Sequence, residues 1–398
     1  MSETRIKRRI AGMLSKRLTD AGLDRIDDPR DDRGKRWPLP VLLTALLVGV
    51  AAGCRNLADV ERLTDSMSSA VRRWFGLQRR VPDTTLRDVL CMLTPEALRP
   101  ALHRLVRKAQ RRKALEPEDF PFGVVSLDGK VTTIAGCDDF YAQRQTQGAT
   151  GPLRGALRSV TAVLTSSAAR PVIDVTPIEA TTNEMGTFRK ALDSLLDAYR
   201  GLDLFRLVTY DAGACSLDNA TYAWSRGVHY LFGLKDSQPG LLAEAKRCLG
   251  SLDVSQAAAR SEDIQSGLRV ERRAYLVDAK QVIAAPEGWE HLRAVLRVQT
   301  ETFDQEGRSL SRDERYFISS LPPVRLTAEQ WLRLIRRHWG VETVHQVLDV
   351  SLEEDDRPWV TTNPRAALVV AVLRPLRSYP SGHARSGPGR VGSPRIRF

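Results

Sequence analysis

No two of the five cysteines (Cys54, Cys91, Cys137, Cys215, Cys248) form a C-x-x-C pair, and their odd number and scatter fit neither a zinc-site spacing nor a disulfide framework. Free thiols in a reducing cytoplasm are the expectation. The chain also lacks an internal repeat and the H-E-x-x-H motif of zinc proteases. Its one long uncharged stretch, 37–54, is shorter than the ~20 residues a membrane helix needs and opens with two prolines, so a buried core helix is expected. The N-terminus is charged and leads into no apolar segment of signal-peptide type. Negative charge is in deficit, with 48 Asp and Glu against 60 Lys and Arg and a net charge of +12. That sign and size point to an anionic partner, most simply nucleic acid; the alternative is a basic protein without one.

A chain of 398 residues suggests two or three domains, and 42% hydrophobic residues are enough for real cores. Residues 35–113 read as helices: the apolar run, then LADVERLTDSMSSAVRRWFGL after a possible Asn56 cap, then TLRDVLCML capped by Thr84 or Thr85. A further helix over 95–113 has Thr94 as cap, Pro95 at its first position and the basic end KAQRRK. Short helices with a basic end suit a DNA-contacting module, or a plain helical domain. From 118 the pattern changes to period two, with strands expected at 124–127, 131–136, 160–166 and 171–178. A helix (183–200), strand (204–210), helix (216–225) and strand (228–234) follow, giving a mixed α/β layout. Residues 251–322, rich in Arg and Glu with short alternating runs, read as a β-rich insertion, and the Gly/Pro/Ser/Arg tail 378–398 as disordered. Five segments result: 1–117, 118–250, 251–322, 323–377 and 378–398.

The stretch 327–356, TAEQWLRLIRRHWGVETVHQVLDVSLEEDD, opens with the capping box Thr327–Gln330. Trp331, Ile335, His338, Glu342, His345 and Asp349 follow at spacings of three and four, on one face of an expected single helix. Carboxylates and imidazoles beside Arg336 and Arg337 suggest metal and phosphate; the plainer reading pairs Glu342 with one of those arginines. Asp128 and Asp211 each end an expected strand, although Asp128-Gly129 is also a hairpin signal and Asp211 a possible cap. Two strand-end aspartates on neighbouring strands plus a helical glutamate can hold two divalent ions ~4 Å apart. Oxygen ligands suit Mg²⁺ or Mn²⁺ better than zinc. Such ions activate a water or 3′-hydroxyl and stabilise the oxygen leaving phosphorus.

His338-x₃-Glu342-x₂-His345 is a weaker, zinc-like alternative. Lys130, Lys235, Arg272, Arg336 and Arg337 are candidate phosphate contacts, each otherwise a routine surface charge. Trp289 is expected in a core, with base stacking as the alternative. Cys215 has no base nearby in sequence and reads as structural, and the acidic run 353–356 as a solvated helix end.

VVSLDGK, TYDAGA and RRHWGVETVHQVLDVSLEEDD, in that order, resemble the three catalytic boxes of bacterial insertion-sequence transposases of the DDE class. The branch it looks like carries an N-terminal helical transposase-associated domain. Thr182-Asn183-Glu184, Lys235-Asp236-Ser237-Gln238 and Arg269-Val270-Glu271-Arg272-Arg273 resemble smaller motifs of that branch, and the likeness runs from about 28 to 356. Thr343, Ser266 and Ser237 stand where the branch usually has Asn, His and Asn.

The resemblance implies an α/β fold: an RNase H-like catalytic core with an inserted β-rich subdomain, preceded by an all-helical N-terminal domain. It implies Asp128, Asp211 and Glu342 as a catalytic triad holding two Mg²⁺ (or Mn²⁺) ions. Gln238 and His338 join the five cations as DNA contacts, with Asn183, Glu184 and His345 in support. The expected partners are double-stranded DNA, at element ends and target, and a second copy in a synaptic homodimer, in the nucleoid-associated cytoplasm. The implied activity is metal-dependent cleavage and strand transfer at the ends of an insertion sequence. A metal nuclease on the same core, or a truncated, inactive remnant that only binds DNA, are the alternatives.

Overall fold

The computed structural model describes residue 12 and residues 14–146, 151–284, 287–352 and 358–377, with the backbone alone over 347–352. The 378–398 tail, the acidic run 353–356 and the Asp349 side chain lie outside the described residues.

The apolar run becomes helix α1 (Leu39–Ala52), buried almost all round and ended by Gly53 at φ 78°. Among the described residues no single helix is long and apolar enough to cross a membrane. The next stretch is two helices, α2 (Leu57–Ser66) and α3 (Ser69–Trp74), because Asn56 and Ser68 each cap a separate start. Helix α4 (Asp83–Met92) begins at Asp83 with Pro82 before it, so neither Thr84 nor Thr85 is the cap. Helix α5 (Pro95–Arg111) starts as its sequence suggests, with Thr94 Oγ1 accepting from the Ala97 amide at 3.3 Å. Part of its basic end is engaged, Lys108 and Arg112 pairing with Asp20, and Arg107 just before it donates to the Ala198 carbonyl.

The strands form one ten-stranded sheet. They are β1 (Val124–Ile134), β2 (Ala142–Thr146), β3 (Leu153–Leu164), β4 (Val172–Ile178), β5 (Leu207–Tyr210), β6 (His229–Leu234), β7 (Ala259–Gln265), β8 (Leu268–Asp278), β9 (Ala294–Phe303) and β10 (Ser309–Ser319). The order is β2-β3-β1-β5-β6-β10-β9-β8-β7, with β4 also paired to β3. Strands β3 and β4 are antiparallel, β5 and β6 run parallel to β1, and β10 returns antiparallel beside β6. The segment read as an insertion therefore continues the same sheet. Its β7–β8 hairpin turns at Ser266 (φ 50°) and Gly267 (φ 81°), the two positive φ values of a tight primed turn.

One strand reading needs correction. Asp128-Gly129 makes no turn: β1 runs straight through both, because β3 pairs with it from Val125 to Ile134. Ten paired residues of continuous ladder outweigh a local turn preference.

Helices α6 (Glu184–Ala198), α7 (Leu217–Ser225) and α8 (Pro239–Leu249) cover one face. Phe188, Leu192 and Leu195 of α6 pack there with Val125, Leu127 and Val208, in a core continuous with Leu42, Leu46 and Leu102 of the helical segment. A short helix α9 (Ala279–Val282) follows β8. Helix α10 (Ala328–His338) seals the other face with Trp331, Leu334 and Ile335 against Val124, Leu207 and Leu231. The single long helix expected here is broken at Trp339, and α11 (Gly340–Leu352) begins anew. Helix α12 (Pro364–Leu373) closes against α5 and the sheet.

Candidate active site: a carboxylate cluster at an open cleft

Parallel pairing of β1 with β5 sets Ser126 opposite Thr209. Two residues further along each chain come Asp128 and Asp211, so both aspartates project from the same side of adjacent strands. Asp211 also caps the short turn after β5, its Oδ1 accepting from the Gly213 amide at 2.9 Å. The break at Trp339 places Glu342 in the first turn of α11, where a carboxylate meets the positive end of the helix dipole. His345, one turn on, reaches Asp128, with Nδ1 3.2 Å from Oδ2.

A fourth carboxylate joins them. Glu184 is the first residue of α6, behind its cap Asn183, whose Oδ1 accepts from the Gly186 amide at 2.9 Å. It lies over Gly129: a Cβ there would come within 1.9 Å of Glu184 Oε1, so only glycine allows the approach. Burial raises the Glu184 carboxyl above the usual range, and Asp211 and Asp128 add to it against the opposing charges of Arg158 and His345. Glu342 is raised by burial and by Asp128, partly offset by Arg315 and His345. Tyr210, 1% exposed, has its phenol raised by burial and by Glu184, Asp128 and Asp211, and its buried hydroxyl has no hydrogen-bond partner.

The donor set is hard oxygen under mutual repulsion, which suits a divalent cation of the Mg²⁺ or Mn²⁺ kind. Among the described residues, no three His, Cys, Asp or Glu side chains stand close enough to share one ion. The zinc-like alternative is not assembled: His338 turns to Thr209 while His345 turns to Asp128.

His338 is 7% exposed, and burial lowers its pKa against the pull of Asp128 and Asp211. Its Nδ1 lies 2.8 Å from Thr209 Oγ1.

The cations divide. Arg336 and Arg272 both bind Asp263, at 2.5 and 2.9 Å. Arg337 binds Asp119 at 2.6 Å and donates to the Thr165 carbonyl at 3.0 Å. Glu342 therefore pairs with neither Arg336 nor Arg337, and all three guanidinium groups are already held by the fold. Lys130 is half-buried on β1 near Trp359. Lys235 is exposed beyond β6, and Gln238 sits half-buried at the start of α8. Trp289 is 4% exposed beside His291, a core residue out of reach of any base. Cys215 is buried, and all five cysteines are free.

Beside Asp211 and Glu342 opens a cleft of about 880 Å³, walled by the end of β6, by α8, by β10 and by the α10–α11 junction. Two of its cations, Lys246 and Arg315, were not picked out from sequence. Lys246 is exposed on α8 one turn after Leu242, a spacing that could have flagged it. Arg315 pairs with Asp313 at 2.8 Å and lies 5.2 Å over the Trp339 ring, a cation–π contact that no local pattern announces.

Comparison with known proteins agrees with this picture. Residues 21–106 match the "DDE_Tnp_1-associated" family, and residues 131–374 match the "Transposase DDE domain" family, a span that includes Asp211 and Glu342 and starts three residues after Asp128. The chain is 24% identical over 340 residues to the Escherichia coli K12 protein named "H repeat-associated putative transposase YhhI", covering 83% of this chain and 82% of that one. It is also 24% identical over 338 residues to "Putative protein YbfL" of the same strain, covering 82% and 81%. With a family model spanning more than half its length, the chain belongs to the DDE transposase family.

Proposed function

We propose that this protein cuts DNA at the ends of an insertion sequence and joins the freed 3′-hydroxyl to target DNA, with Asp128, Asp211 and Glu342 as the carboxylates that hold Mg²⁺ or Mn²⁺. The observation that carries this is the register of β1 and β5, which brings Asp128 and Asp211 to neighbouring positions within electrostatic reach of Glu342. Support for an RNase H-like core comes from the run β4-β3-β1-β5-β6, with β3 antiparallel to both β4 and β1 and with β5 and β6 parallel to β1.

When bound, the ions would supply charge neutralisation at phosphorus and acidify the attacking hydroxyl. The chain's own groups do the rest. Asp128 is held on β1 by its ladder with β3, and Asp211 by its cap on the turn after β5. His345 stands beside Asp128, with Nδ1 3.2 Å from Oδ2. In cleavage a water oxygen forms a bond to phosphorus as the 3′-oxygen leaves with its electron pair; in joining, that 3′-oxygen attacks a target phosphodiester in the same way. Lys235 and Lys246, which meet no carboxylate among the described residues, are the cleft cations available to DNA phosphates. Two copies would hold the two ends in a synaptic homodimer.

The test is purified protein with element-end duplex and Mg²⁺ or Mn²⁺. End-specific nicks followed by joined products are expected, lost in Asp128→Ala while DNA binding persists. Nicks without joined products would leave a nuclease, and metal-independent binding without nicks a DNA-binding remnant.

A further inference from the structure

A chain of buried hydroxyls beneath the cleft decides which nitrogen of His338 carries its proton. Thr209 Oγ1, 2.8 Å from His338 Nδ1, donates to Ser126 Oγ at 2.8 Å. Ser126 Oγ lies 2.8 Å from Thr165 Oγ1, which donates to the Val124 carbonyl at 3.5 Å. Each hydroxyl has one proton and the terminal carbonyl can only accept. Thr209 gives its one proton to Ser126, whichever of Ser126 and Thr165 donates to the other. None is left for His338, so the Thr209 oxygen accepts and the imidazole proton sits on Nδ1. Burial keeps the ring uncharged despite Asp128 and Asp211 nearby. His338 also lines the cleft beside Asp211 and Glu342.

A phosphate contact needs a donor. Nε2 of this tautomer offers a lone pair instead. We propose that His338 Nε2 accepts a hydrogen bond from the attacking water or 3′-hydroxyl, and that Thr209, Ser126 and Thr165 are positioning residues that hold the ring in the tautomer able to do so. The inference rests on the transposase reading above. It makes His338 the residue that orients the nucleophile's O–H, leaving phosphate binding to the lysines.

The tautomer is read directly by ¹⁵N NMR of the full chain labelled at histidine, with the His338 signals assigned by their loss in His338→Asn. The expected pattern near neutral pH is a protonated Nδ1 and an unprotonated Nε2. The reverse tautomer, or imidazolium, overturns the proposal. Thr209→Val keeps the shape but removes the acceptor. It is expected to shift the signals toward the other tautomer and to slow nicking on the order of 10²-fold with DNA affinity unchanged. Thr209→Ser, which keeps the hydroxyl, should restore both, and thermal unfolding of each variant checks that the fold is intact. A Thr209→Val protein that is folded and nicks at the wild-type rate overturns the catalytic role. A wild-type protein with the expected spectrum but no nicking overturns the transposase reading, and the role of Nε2 with it.

Discussion

Asp174 and the Asp128–Asp211–Glu184–Glu342 group are carboxylates of one sheet and its attached helices, with opposite electrostatics. Asp174, on β4, is 1% exposed. Burial alone would raise its carboxyl, but hydrogen bonds from His103 and Arg99 outweigh that and hold it far below the usual range. Arg99 grips it with Nε at 2.9 Å and a terminal nitrogen at 2.5 Å, and also donates to Thr176 and Ser194. The cluster at the cleft has the reverse character: less buried, short of cations, and with Glu184 and Glu342 pushed up. Burial by itself does not determine the fate of an acid; compensation does. The compensated carboxylate ties helix α5 to the sheet. The uncompensated ones represent strain that a folded protein retains where charge has work to do.

The largest effect expected from breaking this contrast is on the stabilising side. Asp174→Ala leaves Arg99 buried without its carboxylate and should cost about 3–5 kcal/mol, read as a lower urea midpoint. Glu184→Gln should act in the opposite sense: removing one repelling charge raises the melting temperature of metal-free protein by about 1–2 °C. A fall instead would mean that Glu184 has a stabilising partner and that the cluster is not strained.

Acid sharpens the comparison. Glu184 has a raised folded-state pKa, so its penalty is complete above that value and disappears as pH falls below the unfolded value. Asp174 has a depressed one, so its contribution is complete above the unfolded value and is lost as pH falls toward the folded one. In urea unfolding from pH 7 to 4, the gap between wild type and Glu184→Gln should close while that for Asp174→Ala persists, to be lost only at lower pH.

The smallest effect separates free from engaged cations. Lys235→Ala and Lys246→Ala should each reduce the slope of log K against log salt for DNA binding by about 1. Arg336→Ala should leave that slope unchanged and lower stability instead, because its guanidinium is bound to Asp263.

Much of the fold follows from short-range patterns. The caps Asn56, Thr94, Asn183, Ser216 and Thr327 lie where their residue types suggest. The apolar run is the buried helix its composition demands, and β5 and β6 fall within the runs that mark them. Misreadings arose where a distant partner overrode a local signal. Asp128-Gly129 has the chemistry of a turn, but β3 holds it in a ladder. Arg336 and Arg337 stand beside Glu342 in sequence, yet Arg337 binds Asp119, 218 residues away.

The three carboxylate boxes were legible because each couples a recognisable residue pattern to a strand or helix end. Their convergence was expected from the family resemblance rather than from any local pattern, since it depends on β1 and β5 pairing in parallel across more than seventy intervening residues. Glu184 lies close over Gly129, where a side chain would displace its carboxylate. Local hydrogen bonds and hydrophobic periodicity act over a few residues, so the chain alone establishes which elements form and where they begin. Electrostatic compensation acts through space, so only the tertiary structure decides which charges are neutralised and which, at the cleft, are left exposed to one another.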